Sequence, residues 1–138
     1  MPTNAVPGFY GRWAALYDLL ATLPGVGRWR RAAAEALDLS PGDTVVEMGC
    51  GTGANLPHLR RRVGPEGRVV GVDLTAELLE RAGERSPRAG LLRGDATRPP
   101  VLEADAVLGT FVTGMFDDPA DVVEEWYDLC SGRVALMD

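Results

Sequence analysis

Val45-Val46-Glu47-Met48-Gly49-Cys50-Gly51-Thr52-Gly53 is the stretch on which the rest of this chain is arranged. It opens with apolar, β-favouring residues, the pattern of a buried strand. Glycines then occupy every second position. Ala54-Asn55-Leu56-Pro57-His58-Leu59 follows and reads as the first turns of a helix. Strand, glycine turn and helix form half of a βαβ unit. The glycines permit a sharp turn and let backbone approach a ligand where a Cβ would collide. The helix start offers unpaired N–H groups to a carboxylate or phosphate.

The chain has 138 residues and is 46% hydrophobic, enough for one domain with a real core and too little for two. A single domain, 1–138, is expected, with a helical segment over 1–39 and a sheet-based core over 40–138. Net charge is −6, which argues against a broad nucleic-acid surface. All 14 basic residues are arginine, a composition that suits a salt-adapted or GC-rich source. No run approaches the roughly 18 apolar residues of a membrane span, so no stable membrane insertion is expected. Met1-Pro2-Thr3-Asn4 lacks the basic region of a signal peptide, which makes the cytoplasm the expected location. Cys50 and Cys130 make neither a disulfide framework nor a metal site.

Upstream of the glycine turn, Tyr10, Trp13, Leu16, Tyr17 and Leu20 share one face of a helix over 10–23. Pro24-Gly25-Val26-Gly27 breaks it. A second helix is expected over 28–37, with Trp29, Ala32, Ala33, Ala36 and Leu37 inward and its arginines outward. Ser40-Pro41-Gly42-Asp43 is a turn that launches the central strand.

Downstream, the helix after the glycine turn covers 54–63, with Pro57 in its first turn, where the missing N–H matters little. A second strand over 68–72 ends in Asp73, 22 residues beyond Gly51, where Rossmann-like folds place a ribose-binding carboxylate. Thr75 is positioned to cap a helix over 76–84, with Leu78, Leu79 and Ala82 inward. A third strand, 91–93, ends in Gly94-Asp95-Ala96. A fourth, 104–108, leads into Gly109-Thr110-Phe111-Val112. Asp117 or Asp118 suits the start of a helix over 119–130, and 133–137 reads as a fifth strand. Strands alternating with helices imply an α/β fold: a doubly wound parallel sheet covered on both faces. Such sheets bind ligands beyond the carboxyl ends of their strands. Glu47, Asp73, Gly94-Asp95 and Thr110 all fall there.

Glu47 with Gly49, Gly51 and Gly53 resembles the first motif of the class I methyltransferases that use S-adenosylmethionine: an acid two residues before the first of three alternate glycines. The resemblance implies strand order 3-2-1-4-5 and a small-molecule or lipid-like methyl acceptor, quinone-type ones included. It implies that Gly49, Cys50, Gly51, Gly53 and Asn55 pass the methionine part of the cofactor, with Glu47 orienting the turn and the amino group. Asp73 is then the ribose ligand and Asp95 the adenine ligand. Leu74 and Ala96 flank the ring, and Thr110 closes the crevice at the fourth strand. Tyr17-Asp18 resembles a pair in the family's N-terminal helix, which makes Tyr17 a lid residue. No catalytic base stands out, and methyl transfer from a sulfonium requires one only when the acceptor must lose a proton.

Two other readings remain open. Gly49, Gly51 and Ala54 also satisfy the dinucleotide pattern G-x-G-x-x-G/A, with Asp73 serving its ribose. Against that stand the negative charge of Glu47 at the turn, the third glycine Gly53, and Gly94-Asp95. The second is an S-adenosylmethionine-binding module without turnover. Residues with plainer expectations are His58 on a helix surface, Cys130 buried in a helix, and Phe111 and Met115 either in the core or lining an acceptor pocket. The family's sheet has seven strands, and this chain supplies five. The expectation is a fragment, or a fifth strand covered by another copy or a partner chain.

Overall fold

The computed structural model describes residues 25–137. The helix expected over 10–23, with its lid residue Tyr17, lies outside the described residues. The described elements are α1 (Val26–Ala36), β1 (Thr44–Met48), α2 (Leu56–Val63), β2 (Arg68–Asp73), α3 (Ala76–Arg85), β3 (Gly90–Arg93), β4 (Ala104–Thr110), α4 (Pro119–Leu129) and β5 (Cys130–Met137). A 3-10 turn, Thr113–Met115, follows β4.

The sheet has strand order β3-β2-β1-β4-β5, and every pairing is parallel. Side chains of β1 alternate between its faces, as strand geometry requires. Val45 joins Ala33, Ala34 and Leu37 of α1, Leu56, Leu59 and Val63 of α2, and Ala82 of α3 on one side. Val46 and Met48 join Val72, Val107, and Val122 and Trp126 of α4 on the other. Burying each Val or Leu fully contributes about 1.5–3 kcal/mol, so this central strand carries much of the core. Trp126 is fully buried and satisfies its indole N–H by donating to the Ala96 carbonyl at 2.8 Å.

Four expectations need correction. The helix α1 is rotated from the expected position: Ala33 and Leu37 are buried as expected, but Trp29 is 60% exposed, Ala32 and Ala36 are exposed, and Arg30 is buried. Thr75 holds the N-cap position of α3, but its side chain makes no cap hydrogen bond; it interacts with the Asp73 carboxylate instead. The helix before β5 ends at Leu129, and Cys130, half-buried, already belongs to the strand. The start of β5 pairs irregularly with β4 between Ala104 and Ala106, which absorbs the sharp return from helix to strand. Asp118 caps α4 as expected, accepting from the Asp121 N–H at 3.3 Å.

Gly53 shows how tightly the turn is packed against α3. It has φ 79, and a Cβ there would lie 2.9 Å from Ala82 Cβ. We expect Gly53→Ala to destabilise the fold by about 1–3 kcal/mol, from left-handed strain plus this clash. The shift of the urea midpoint relative to the native chain measures it.

Candidate functional site

At the carboxyl ends of β1 and β2 the chain makes one hydrogen-bonded assembly. The Gly49 and Cys50 N–H groups both donate to the Val72 carbonyl, at 2.7 and 3.0 Å. Gly51 N–H donates to Asp73 Oδ2 at 2.9 Å, and Asp73 Oδ1 accepts from Thr75 N–H at 2.9 Å. One carboxylate therefore ties the glycine turn of one βα unit to the start of the next helix. Burial pushes the Asp73 carboxyl up from its ordinary range, and the N–H groups of Thr75 and Gly51 pull it partly back.

A crevice opens above this assembly. Gly49, Gly51, Asp73, Leu74, Asp95 and Ala96 line it, together with Thr75, Leu78, Gly94, Phe111, Val112, Met115 and Phe116. Asp95 is set by its own turn, Oδ1 accepting from the Thr97 N–H at 2.9 Å and hydroxyl at 2.7 Å. Trp126 pins the adjoining Ala96 from below. A Cβ on Gly49, where φ is 70, would come within 2.5 Å of Val112 Cγ1, so glycine is required where the turn meets the crevice wall.

The other expected site residues lie beneath that lining. Glu47 and Thr110 are buried on neighbouring strands, and Asn55 is buried at the N-cap of α2. The Asn55 side-chain amide donates to Glu47 Oε2 at 2.5 Å and to Thr110 Oγ1 at 3.1 Å. Among the described residues Glu47 Oε1 has no hydrogen-bond partner. Burial pushes the Glu47 carboxyl up to about 8; Asn55, Arg30 and Thr110 oppose the shift, and Asp73 adds to it. Cys50 points away from the crevice, its Sγ against Gly71, where a Cβ would meet it at 2.7 Å. Its thiol is pushed far up by burial first, then by Glu47 and Asp73, and is an inert packing group. Gly53 faces Ala82. His58 is half-buried, and burial first, then Arg61, Arg31 and Arg30, lower its pKa. Among the described residues no group of His, Cys, Asp and Glu could hold a metal.

Arg30, Thr75, Leu78, Val112 and Phe116 were not expected at the site. Arg30 donates to Asn55 Oδ1 at 3.0 Å from the buried face of α1. Its position was readable: Arg30, Ala33, Ala34 and Leu37 make a helical stripe as regular as the one through Trp29.

Residues 46–134 match the family described as Methyltransferase domain. The 2-phytyl-1,4-naphtoquinone methyltransferase of Thermosynechococcus vestitus is 34% identical over 143 residues, covering 96% of this chain and 64% of that protein. The phosphatidylethanolamine N-methyltransferase of Cereibacter sphaeroides is 32% identical over 148 residues, covering 100% of this chain and 70% of that protein. Among solved structures, magnesium protoporphyrin IX methyltransferase from Synechocystis PCC 6803, with bound SAM, superposes with TM-score 0.73 at 16% identity. That match covers 97% of this chain and 74% of the other, and carries the fold. The chain spans from 33% to 64% of the length of the first relatives it matches.

The buried Glu47 has a measurable consequence in the free protein. Its folded pKa, about 8, lies above its ordinary 4.5. Stability from this group is then complete below pH 4.5 and is lost as pH rises toward 8. We expect Glu47→Gln to flatten the fall in urea midpoint across that window and to be the more stable protein at its alkaline end.

Proposed function

This chain belongs to the methyltransferase-domain family, and we propose that it is an S-adenosylmethionine-dependent methyltransferase acting on a small-molecule or lipid-like acceptor. The observation that carries this reading is the crevice in which Asp73 and Asp95 stand at the ends of β2 and β3 beside the glycine turn, with the buried Glu47 beneath. The names of two relatives, a naphthoquinone methyltransferase and a phospholipid N-methyltransferase, support an acceptor of that class. The cytoplasm is the compartment we propose; no described helix is long and apolar enough to cross a membrane. We propose that a second copy or a partner chain covers the outer edge of β5.

The residues suit this cofactor better than a dinucleotide. Glu47 Oε1 is a buried acceptor without a donor, a partner for a cationic amine or a bridging water. A pyrophosphate at the same turn would meet this acid unfavourably. In our reading Asp73 takes the ribose hydroxyls and Asp95 the adenine amino group, while Leu74 and Ala96 flank the ring. Gly49, Gly51 and Gly53 admit the methionine part, and Cys50 shapes their turn from the core side. Asn55 and Thr110 hold Glu47 in place. Tyr17 is proposed as a lid residue.

When bound, the cofactor supplies an electrophilic methyl group on a sulfonium whose departure leaves a neutral thioether. The chain's own contribution is alignment and exclusion of water. A carboxylate held at two backbone N–H groups fixes the ribose end. Phe111, Val112, Met115 and Phe116 give the crevice an apolar wall. Orientation of that kind lowers the barrier to an in-line displacement without a protein nucleophile.

Calorimetry tests the cofactor. We expect S-adenosylmethionine or its demethylated product to bind far more tightly than NAD, and the reverse preference would sink the reading. Asp73→Asn keeps an oxygen for the backbone clamp but removes the charge. It should weaken cofactor binding by more than about tenfold, since a charge-assisted bond is worth about 1.5–3 kcal/mol. Asp95→Ala should weaken it less and relax discrimination against an inosine analogue. Transfer of labelled methyl to an acceptor extract separates an enzyme from a binding module.

A further inference from the structure

We infer that Arg30 is a positioning residue for the cofactor: acting through Asn55, it orients the Glu47 carboxyl and favours its ionised form, with the second oxygen left for the cofactor's cationic amine. The inference rests on the proposed S-adenosylmethionine site and assigns a role to a residue of α1, an element that contributes nothing to the crevice lining.

The geometry is a three-link chain. Arg30 Nη1 donates to Asn55 Oδ1 at 3.0 Å, and the Asn55 amide donates to Glu47 Oε2 and to Thr110. A guanidinium can only donate, so it forces the oxygen of Asn55 toward α1. The amide nitrogen then has one direction left, toward Glu47 and Thr110. With the opposite orientation, Asn55 would present its carbonyl to the carboxylate, and two acceptors would face each other. Arg30 thereby selects the side-chain orientation in which Asn55 supports an ionised Glu47.

Charge points the same way. Among the described residues, the groups acting on Glu47 are Asn55 at the start of α2, Arg30 on α1, Thr110 on β4 and Asp73 on β2. Arg30 is the only cation of the four, and it opposes both the burial and Asp73. All three members of the chain are buried, Arg30 being 8% exposed, so solvent screens the interaction little. Glu47 Oε2 is occupied by Asn55 and reached by the Thr110 hydroxyl at 3.4 Å. Oε1 is unpartnered, and it is the acceptor this arrangement reserves.

The test reads Glu47 and the cofactor separately, on the full 138-residue chain. Carbon-13 NMR of the glutamate carboxyls follows Glu47, assigned by its loss in Glu47→Gln. Calorimetry follows S-adenosylmethionine. A His58→Gln background removes the imidazole that titrates nearby. Arg30→Met should raise the Glu47 midpoint by about one pKa unit or more. It should also weaken binding by about tenfold at neutral pH, and move the rise of affinity with pH upward. In Glu47→Gln the same Arg30→Met change should alter affinity by less than about twofold, because residues acting in series are not additive. Arg30→Lys restores charge without the fork and should recover most of the midpoint. Arg30→Gln restores a donor without charge and should not; these two variants also serve if Arg30→Met does not fold. An equal loss of affinity in both backgrounds, with the Glu47 midpoint unmoved, would mean that Arg30 only packs α1 and overturns the inference. A native chain that binds no S-adenosylmethionine overturns the parent reading, and this one with it.

Discussion

The hydrogen bond from the Gly51 N–H to the Asp73 carboxylate, at 2.9 Å, joins the two halves of the site. β1 and β2 are already parallel neighbours, but a sheet register alone leaves the loops beyond it free. The second oxygen of Asp73 holds the Thr75 N–H at the start of α3. With Val72 taking the N–H groups of Gly49 and Cys50, the loop after β1 is fastened to the end of β2 at three donors. Desolvating a carboxylate is costly, and that cost is the leading influence on the Asp73 pKa. The backbone bonds return part of it. The carboxylate is thus held in place before any ligand arrives, and a ribose would add hydroxyl donors to a group already oriented.

A second buried carboxylate, Glu47, is linked to α1 through Asn55. Two faces of that helix were available to the core. Trp29, Ala32 and Ala36 would have buried more apolar area. The face that is buried instead carries Arg30 with Ala33, Ala34 and Leu37. That face brings the Arg30 guanidinium onto Asn55 Oδ1, and its charge opposes the effect of burial on Glu47. The rotation that buries Arg30 leaves Trp29 on the surface.

The strands and the crevice were legible because each rests on a local rule, while the strand order came from the family resemblance. Apolar runs at Val45-Val46 and Ala106-Val107 mark strands, alternate glycines mark the turn, and acids at strand ends mark the mouth of a parallel sheet. Helix rotation was not decided by the sequence: the stripes through Trp29 and through Arg30 are equally regular, hydrophobicity ranks Trp29 above Arg30, and the buried Glu47 that favours the second lies far along the chain. Nor was the division between lining and support. Sequence spacing puts Glu47, Asn55 and Thr110 near the turn, but whether a strand residue faces the crevice or the layer beneath depends on pleat phase at the sheet's end. The start of β5 was obscured by Ser131-Gly132, which reads as a helix stop. In the folded chain Gly132 instead admits the carbonyl of Asp105, which a Cβ would meet at 2.2 Å.

Phe111 links the sheet's outer strand to the crevice. It has φ 56, in the left-handed region, which is uncommon for a bulky side chain. Holding it there costs on the order of 1–3 kcal/mol. Its N–H donates to the Met137 carbonyl at 2.7 Å, continuing the β4–β5 pairing one residue past Thr110. That bond sends the chain back over the strand ends, so that Val112 packs on Gly49 and the turn at Thr113–Met115 forms the crevice wall. No residue of β5 lines the crevice, yet β5 fixes the backbone that does. The shape of the wall opposite Asp73 and Asp95 therefore depends on how firmly the outer strand is paired, two strands away from the carboxylate clamp.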